Sequence, residues 1–236
     1  MPSPPVVIEP AAAYPRRAAE WLAETMAGVL ATQRQCAIAL SGGATPRPVY
    51  AALAEPALAD GIEWRRVAVY FGDERAVPPD HGDSNFRMAT DALLSRVPIP
   101  KAQIHRMEGE RHDLEAAAVA YEHLLPPSLD VLVLGMGADG HTVSLFPGSP
   151  ALQERRRRVV VVEGPTPPRL RLTITPPVIA AAHRVVVLVM GSEKAATVAR
   201  ALEGDAAASE VPAALARHGV WVLDRLAAAR LTRSVA

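Results

Sequence analysis

Aromatic residues are scarce in this chain, only 4% of its 236 positions, while half of all residues are apolar. Its core must therefore be aliphatic, built mostly from Ala, Val and Leu. There is one cysteine, so no internal disulfide can form. Cys36 lies in an apolar run, which predicts a buried, inert thiol. Neither charge dominates, with 25 basic and 25 acidic residues. That balance argues against a dedicated nucleic-acid or membrane surface. No stretch approaches the roughly 20 apolar residues needed to span a bilayer. The opening MPSPPVVIEP has neither a basic n-region nor an apolar h-region. A soluble, cytoplasmic protein is expected. Several motifs are missing too. No G-x-x-x-x-G-K-[ST] ending marks a Walker loop, no G-x-S-x-G elbow a serine hydrolase, and no H-E-x-x-H a zinc protease. No Gly/Ser-rich linker or internal repeat divides the chain, and its length fits one α/β domain over residues 1–236.

What the chain does have is concentrated in residues 130–150, DVLVLGMGADGHTVSLFPGSP. The run Val131-Leu132-Val133-Leu134 has the length and branching of a strand buried on both faces. Gly135, Gly137 and Gly140 follow and enclose Asp139 and His141. A buried strand that runs into a flexible polar turn presents side chains at the carboxyl edge of a sheet, where open α/β folds bind ligands. The glycines also match G-x-G-x-x-G, with Glu163 at the distance of a ribose-binding acid. A dinucleotide site needs a continuous helix after the third glycine. Here Pro147, Gly148 and Pro150 interrupt it, and Asp139 would oppose the phosphates, so that reading is set aside.

Similar strand ends recur along the chain. After a short strand at 6–8 and an amphipathic helix over 14–32, Cys36–Leu40 forms a buried strand that runs into Ser41-Gly42-Gly43-Ala44-Thr45-Pro46. Thr45 is a natural N-cap and Pro46 a natural first helical residue. Free N–H groups at that helix start suit an anion, and a phosphate cradle is preferred over a plain turn. Val67–Phe71 is the next strand and leads to Asp73, Glu74 and Arg75. His81 and Asp83 in the following Pro-rich loop are too few to make a metal site. Ser84 caps another helix through Met88, Leu93 and Leu94. Further on, the pattern predicts a short strand at 104–107, a helix at 114–125 and strands at 159–162 and 169–175. The basic run 155–158 is expected to be a solvated edge. A strand at 184–190 precedes Gly191-Ser192-Glu193-Lys194, where Ser192 is expected to cap a helix over 193–202 with Lys194 in its first turn. A strand at 219–223 and a helix from Asp224 close the chain. Alternation of this kind predicts a Rossmann-like, doubly wound α/β fold, with a mostly parallel sheet and helices on both faces.

The strand ends thus offer a glycine cradle, Asp73 with Arg75, Asp139 with His141, and Arg171 with Lys194. The cations and the cradle suit a phosphomonoester, and the histidine and acids suit proton transfer. General acid–base work on a phosphorylated small molecule follows.

SGGATP, GDERAVPPDHGDSN, GMGADGHTVSLFPG, RLTIT and GSEKA, in this order and spacing, resemble the 6-phosphogluconolactonase family. The resemblance runs from about Leu40 to Lys194, with weaker similarity through Trp221 and Asp224. It implies the fold shared with glucosamine-6-phosphate deaminase and hydrolysis of 6-phosphoglucono-δ-lactone without a cofactor or metal. It also implies His141 as the proton-transfer group, with Asp73 or Asp139 to orient it. Arg75 or a backbone N–H near Gly137–Gly140 would stabilise the oxyanion. Ser41, Gly42, Gly43 and Thr45 would hold the phosphate with Arg171 and Lys194, Arg171 being preferred to Arg169 because it fits the R-x-T-x-T pattern. Ala44 and Val143 stand where the family often carries Ser or Ala, and neither is expected to touch the chemistry. The sequence leaves a monomer and a small homo-oligomer equally open. One rival is the sister deaminase, whose histidine motif carries a glutamate where Phe146 stands here. The other is a sugar-phosphate-sensing domain, which would need a DNA-binding helix-turn-helix, whereas the stretch before Cys36 holds only one convincing helix.

Overall fold

Buried strands alternate with amphipathic helices, and a layered sheet follows from that alternation. The computed structural model describes residues 6–8 and 11–232. In chain order its elements are β1 (Val6–Ile8), α1 (Tyr14–Leu30), β2 (Cys36–Leu40), α2 (Pro46–Leu53), α3 (Pro56–Ala59), β3 (Val67–Phe71), β4 (Asp73–Arg75) and α4 (Asn85–Ala89). They continue with α5 (Leu114–Leu124), β5 (Val131–Gly135), β6 (Val159–Glu163), β7 (Leu170–Ile174), α6 (Pro176–Ala181), β8 (Arg184–Val189), α7 (Ala195–Leu202), β9 (Val220–Asp224) and α8 (Arg225–Ala228). Among the described residues no helix is long and apolar enough to cross a membrane.

Six strands form a parallel sheet in the order β1-β9-β8-β5-β2-β3. Such a sheet is covered on both sides, because parallel strands need crossovers that lay helices on its faces. Side chains alternate between those faces. Val131 and Val133 of β5 join the core under α1 and α2, while Leu132 and Leu134 join the one under α5, α6 and α7. The chain runs outward from β2 to β3, then returns to the other side of β2 to lay down β5. Strand order therefore reverses between β2 and β5, and a crevice opens at their carboxyl ends. The glycine cradle and the His141 loop are the segments that leave those two ends.

A second sheet was not anticipated. Gly72 still donates its N–H to the Leu40 carbonyl (2.9 Å), and the chain then turns away into β4. β4, β7 and β6 form a three-stranded antiparallel sheet, with Asp73 opposite Thr173 and Arg75 opposite Arg171. The alternation of residues 169–175 marks a strand correctly. It carries no information about the partner, and only the short connection from β6 makes that pair antiparallel.

Local differences from the sequence reading are small and have simple causes. Residues 104–107 make only a single bridge, Ile104 to Val69, rather than a strand. Thr45 sits at the N-cap of α2 with Pro46 behind it, but its hydroxyl makes no capping bond. Ser192 does not cap either. It starts a tight 3-10 turn, Ser192–Lys194, which leaves Lys194 at the N-cap of α7. The expected cap at Ser84 does form, accepting from Arg87 N–H (3.1 Å), and Asp224 caps α8 in the same way, accepting from Ala227 N–H (2.7 Å). α4 then widens into a π-helical stretch, Thr90–Leu94. Cys36 is fully buried, and burial pushes its thiol up to about 12, so it is inert.

Three buried tyrosines bond backbone groups of the sheet. Tyr14 of α1 donates its hydroxyl to Val222 O (2.7 Å). Tyr50 of α2 accepts from Ser41 N–H (2.9 Å) and donates to Ser41 O (3.1 Å) at the end of β2. Tyr121 of α5 does the same for Phe71 on the edge strand β3 (2.7 and 3.1 Å). Burial holds all three phenols well above the ordinary tyrosine range, so they stay neutral. Tyr121→Phe should therefore strand a buried N–H on Phe71 and cost about 1–3 kcal/mol. In urea unfolding this appears as a lower midpoint at unchanged slope; an unmoved midpoint would mean that water replaces the hydroxyl.

Candidate active site

The crevice between β2 and β5 is lined by Gly42, Gly43, Thr45, Gly137, His141 and Lys194, with Asp73, Arg75 and Arg171 on the side of the small sheet. All the cationic candidates and the histidine therefore converge on one cleft of about 140 Å³.

The loop after β5 is closed by its own hydrogen bonds. Gly137 N–H donates to His141 O (2.9 Å), and Gly140 N–H to Gly137 O (3.0 Å). Gly140 has φ +88°, a conformation that glycine adopts at no steric cost. Asp139 accepts from the His141 backbone N–H (3.1 Å) and meets its ring Nδ1 at 2.6 Å. The carboxylate and the imidazole fold back over Gly137, where any Cβ would overlap the ring. Of the two acids considered, Asp139 is the one in contact with His141. With Nδ1 held by a carboxylate, the imidazole carries its proton there and leaves Nε2 as the lone-pair nitrogen.

Asp73 does other work. It is buried, its Oδ2 accepts from Ser144 Oγ (2.6 Å), and its Oδ1 accepts from Asn85 Nδ2 (3.1 Å). Ser144 N–H donates in turn to Thr173 Oγ1 (3.2 Å), so the central threonine of the R-x-T-x-T pattern docks the His141 loop onto β7. Thr175 plays a structural part as well, donating its hydroxyl to Arg157 O (2.6 Å). Between the pinned Thr142 and Ser144 lies Val143, at φ +46°. A β-branched residue there is strained by about 1–2 kcal/mol. Val143 and Ala44 both line the cleft, closer to the chemistry than the sequence suggested.

Glu74 is 3% exposed, although a charged trio in a loop reads as solvated. Its carboxylate accepts from Arg75 N–H (2.8 Å), Asn85 N–H (2.7 Å), Phe86 N–H (2.8 Å) and Ser84 Oγ (3.0 Å). Burial raises its pKa, and the backbone donors at the start of α4 pull the other way. Glu74 therefore fixes α4, and α4 presents Asn85. The Asn85 amide lies against Gly42 so closely that a Cβ on that glycine would overlap it. Asn85 and Ser144 were missed as site residues, although both stand inside motifs that drew attention for other reasons.

In the cradle, Tyr50 already engages the Ser41 N–H. Among the described residues, the N–H groups of Gly42, Gly43, Ala44 and Thr45 have no acceptor, and Gly43 adopts φ +108°. The cations around them are equally unmatched: Arg75, Arg171 and Lys194 form no ion pair among the described residues. Arg75 donates one guanidinium N–H to Asp83 O (2.8 Å), and its buried Nε has no partner. Arg171 is 6% exposed; burial and then the neighbouring Arg75 lower its pKa. Burial likewise holds the half-buried Lys194 below the usual lysine range, against Glu193 and Asp224. Arg169 points elsewhere and pairs with Glu163 (2.7 Å). His81 and Asp83 lie in an exposed loop, 3.6 Å apart. Three cations with no ion-pair partner among the described residues, gathered beside free amides, can bind a multivalent anion.

The chain is similar to known proteins over nearly its whole length. Residues 9–223 match the family model described as glucosamine-6-phosphate isomerases/6-phosphogluconolactonase. A 6-phosphogluconolactonase of Mycobacterium tuberculosis is 41% identical over 89% of this chain and 91% of its own length. One of Streptomyces coelicolor is 39% identical over 87% of this chain and 85% of its own. The solved structure of 6-phosphogluconolactonase from Trypanosoma cruzi superposes with a TM-score of 0.83, at 30% identity and 99% coverage of both chains. The chain belongs to the glucosamine-6-phosphate isomerase/6-phosphogluconolactonase family.

Proposed function

We propose that the chain hydrolyses 6-phosphoglucono-δ-lactone to 6-phosphogluconate, a step of the oxidative pentose phosphate pathway, with water as the nucleophile and no cofactor. The observation that carries this reading is the Asp139–His141 pair (2.6 Å) on the same cleft as three unpaired cations and four free amides.

A δ-lactone is an activated ester that already hydrolyses in water, so no covalent intermediate is needed. The substrate's phosphate sits between the Gly42, Gly43 and Thr45 amides, Arg171 and Lys194. This anchors the sugar and brings C1 to His141. Nε2 removes a proton from a water as that water attacks C1, and Asp139 stabilises the imidazolium that forms. The tetrahedral intermediate then collapses. The C1–O bond to the ring oxygen breaks, and the imidazolium returns the proton to that oxygen. The oxyanion needs a donor in the meantime. The Gly137 and Gly140 N–H groups are already engaged within the loop, which favours Arg75. Asp73 shapes the pocket by holding Ser144 and Asn85 rather than by moving protons.

Two expectations test this. His141→Ala should lower kcat on freshly prepared phosphorylated lactone by about 10²–10⁴-fold after subtraction of the spontaneous rate. Binding of 6-phosphogluconate should stay close to wild type, and unphosphorylated gluconolactone should be a poor substrate throughout. Wild-type turnover in the variant would remove His141 from proton transfer. The second concerns pH. Lys194 binds phosphate only when protonated, and its pKa is lowered by burial. Affinity for 6-phosphogluconate should therefore be full below that lowered value and fall as pH rises through it, before an ordinary lysine titrates at about 10.4. Lys194→Arg stays charged and should abolish the alkaline loss. Calorimetric titrations that show the same alkaline loss in both proteins would place the titrating group elsewhere.

A further inference from the structure

Phe146 lies outside every role given so far, yet its ring touches both halves of the site. On one side is His141, with ring centroids 4.8 Å apart and planes inclined at 45°. On the other the Arg171 guanidinium carbon stands 5.4 Å from the ring centroid. The ring is 9% exposed. Together with Asp139 it also borders a separate open groove of about 1040 Å³, walled by Val160, Val161 and the segment after Phe146. It thus stands between that groove and two side chains that line the cleft, His141 and Arg171.

The contact matters because neither partner is otherwise well held on that side. Asp139 fixes His141 through Nδ1 alone, a bond about which the ring can still swing. Arg171 has no carboxylate, and its side chain is tethered only by long bonds to Pro168 O (3.2 Å) and to Thr166 (3.4 Å). It also faces Arg75 across the β4–β7 pair, a like-charge neighbour that disfavours their close approach. An aromatic face attracts a guanidinium and gives an imidazole a rigid wall without competing for its nitrogens. An acid or amide in the same place would pair with the arginine and withdraw it from an anion.

We propose that Phe146 is the positioning residue that sets His141 and Arg171 relative to each other, so that one ring couples proton transfer to phosphate recognition. The proposal rests on the lactonase reading for its catalytic half only; the phosphate half stands independently. Truncating the ring should loosen both groups together, an effect expected of neither His141→Ala nor an Arg171 substitution alone.

The test compares Phe146→Leu and Phe146→Tyr with wild type, and adds Phe146→Leu in an Arg171→Gln background. Phe146→Leu should lower kcat on the phosphorylated lactone and weaken inorganic phosphate binding, each by roughly 3–30-fold, with little change in thermal midpoint. Phe146→Tyr keeps the ring and should remain within about twofold on both. With Arg171 already replaced, Phe146→Leu should lower kcat but cost no further phosphate affinity, because contacting residues do not act additively. The Hε1 proton resonance of His141, assigned by its loss in His141→Ala, should lose its ring-current shift in Phe146→Leu and keep it in Phe146→Tyr. Were the wild type inactive on the lactone, the lactonase reading would fail, while phosphate binding and that resonance would still decide this one. Undiminished phosphate affinity in Phe146→Leu, full additivity with Arg171→Gln, or a Phe146→Tyr as impaired as Phe146→Leu would each overturn the proposal.

Discussion

Two adjacent buried carboxylates, Asp73 and Glu74, set the rest of the structure in place. A buried charge is tolerated only when its lone pairs are filled, and the donors that fill these come from four separate segments. Ser144 comes from the His141 loop, Asn85 and Phe86 from α4, Ser84 from its cap, and Arg75 from β4 itself. Satisfying two side chains therefore fixes the small sheet, the capped helix and the catalytic loop against one another. Removing one carboxylate would leave several donors orphaned at once, a heavier loss than any single hydrogen bond. The stability of this region and the geometry of the cleft are the same constraint seen twice.

That constraint also explains which parts of the chain could be read beforehand. The strands, the helices and the convergence of glycine-rich ends on one sheet edge were legible, because buried parallel strands are apolar runs and helices repeat with their own period. His141 and Asp139 stood out for the same reason, being polar groups at the end of such a run. Glu74 was not legible. Three charged residues in a loop look solvated, and only the fold reveals that four donors are waiting for one of them. The small sheet was hidden for a related cause: alternation marks residues 169–175 as a strand but does not name its neighbour. Nor does any sequence signal foretell Val143 at positive φ, since its strain is imposed by the bonds of Thr142 and Ser144 on either side. Between the two candidate acids the sequence offers no distance, and Asp139 is the one in contact with His141.

Global neutrality conceals a local asymmetry. The chain carries equal numbers of acids and bases, yet Arg75, Arg171 and Lys194 share a cleft lined by one acid, Asp73, whose carboxylate is hydrogen-bonded to Ser144 and Asn85. Asp73 is committed to Ser144 and Asn85, Asp139 to His141, and Glu74 to α4. Like charges held together in a partly desolvated site are unfavourable, and burial accordingly lowers the pKa of Arg171 and Lys194. In the proposed reading a phosphomonoester supplies the negative charge that these three cations lack as ion-pair partners among the described residues.

The same arrangement bears on rate. In the proposed reading, donors and cations held in place by the fold need no rearrangement when charge appears on a reacting oxygen, which is the condition for effective stabilisation of a transition state. The cost of assembling them is met during folding, by the buried carboxylates and by the three tyrosines that tie α1, α2 and α5 to strand ends. A chain with so few aromatics places two tyrosines at the carboxyl ends of β2 and β3, where backbone groups would otherwise go unpaired, and a third beside β9. Tyr50 shows the link most directly. It takes up the Ser41 N–H at the end of β2, where the cleft-lining segment Gly42–Thr45 begins, so a bond that completes the core also holds one wall of the cleft.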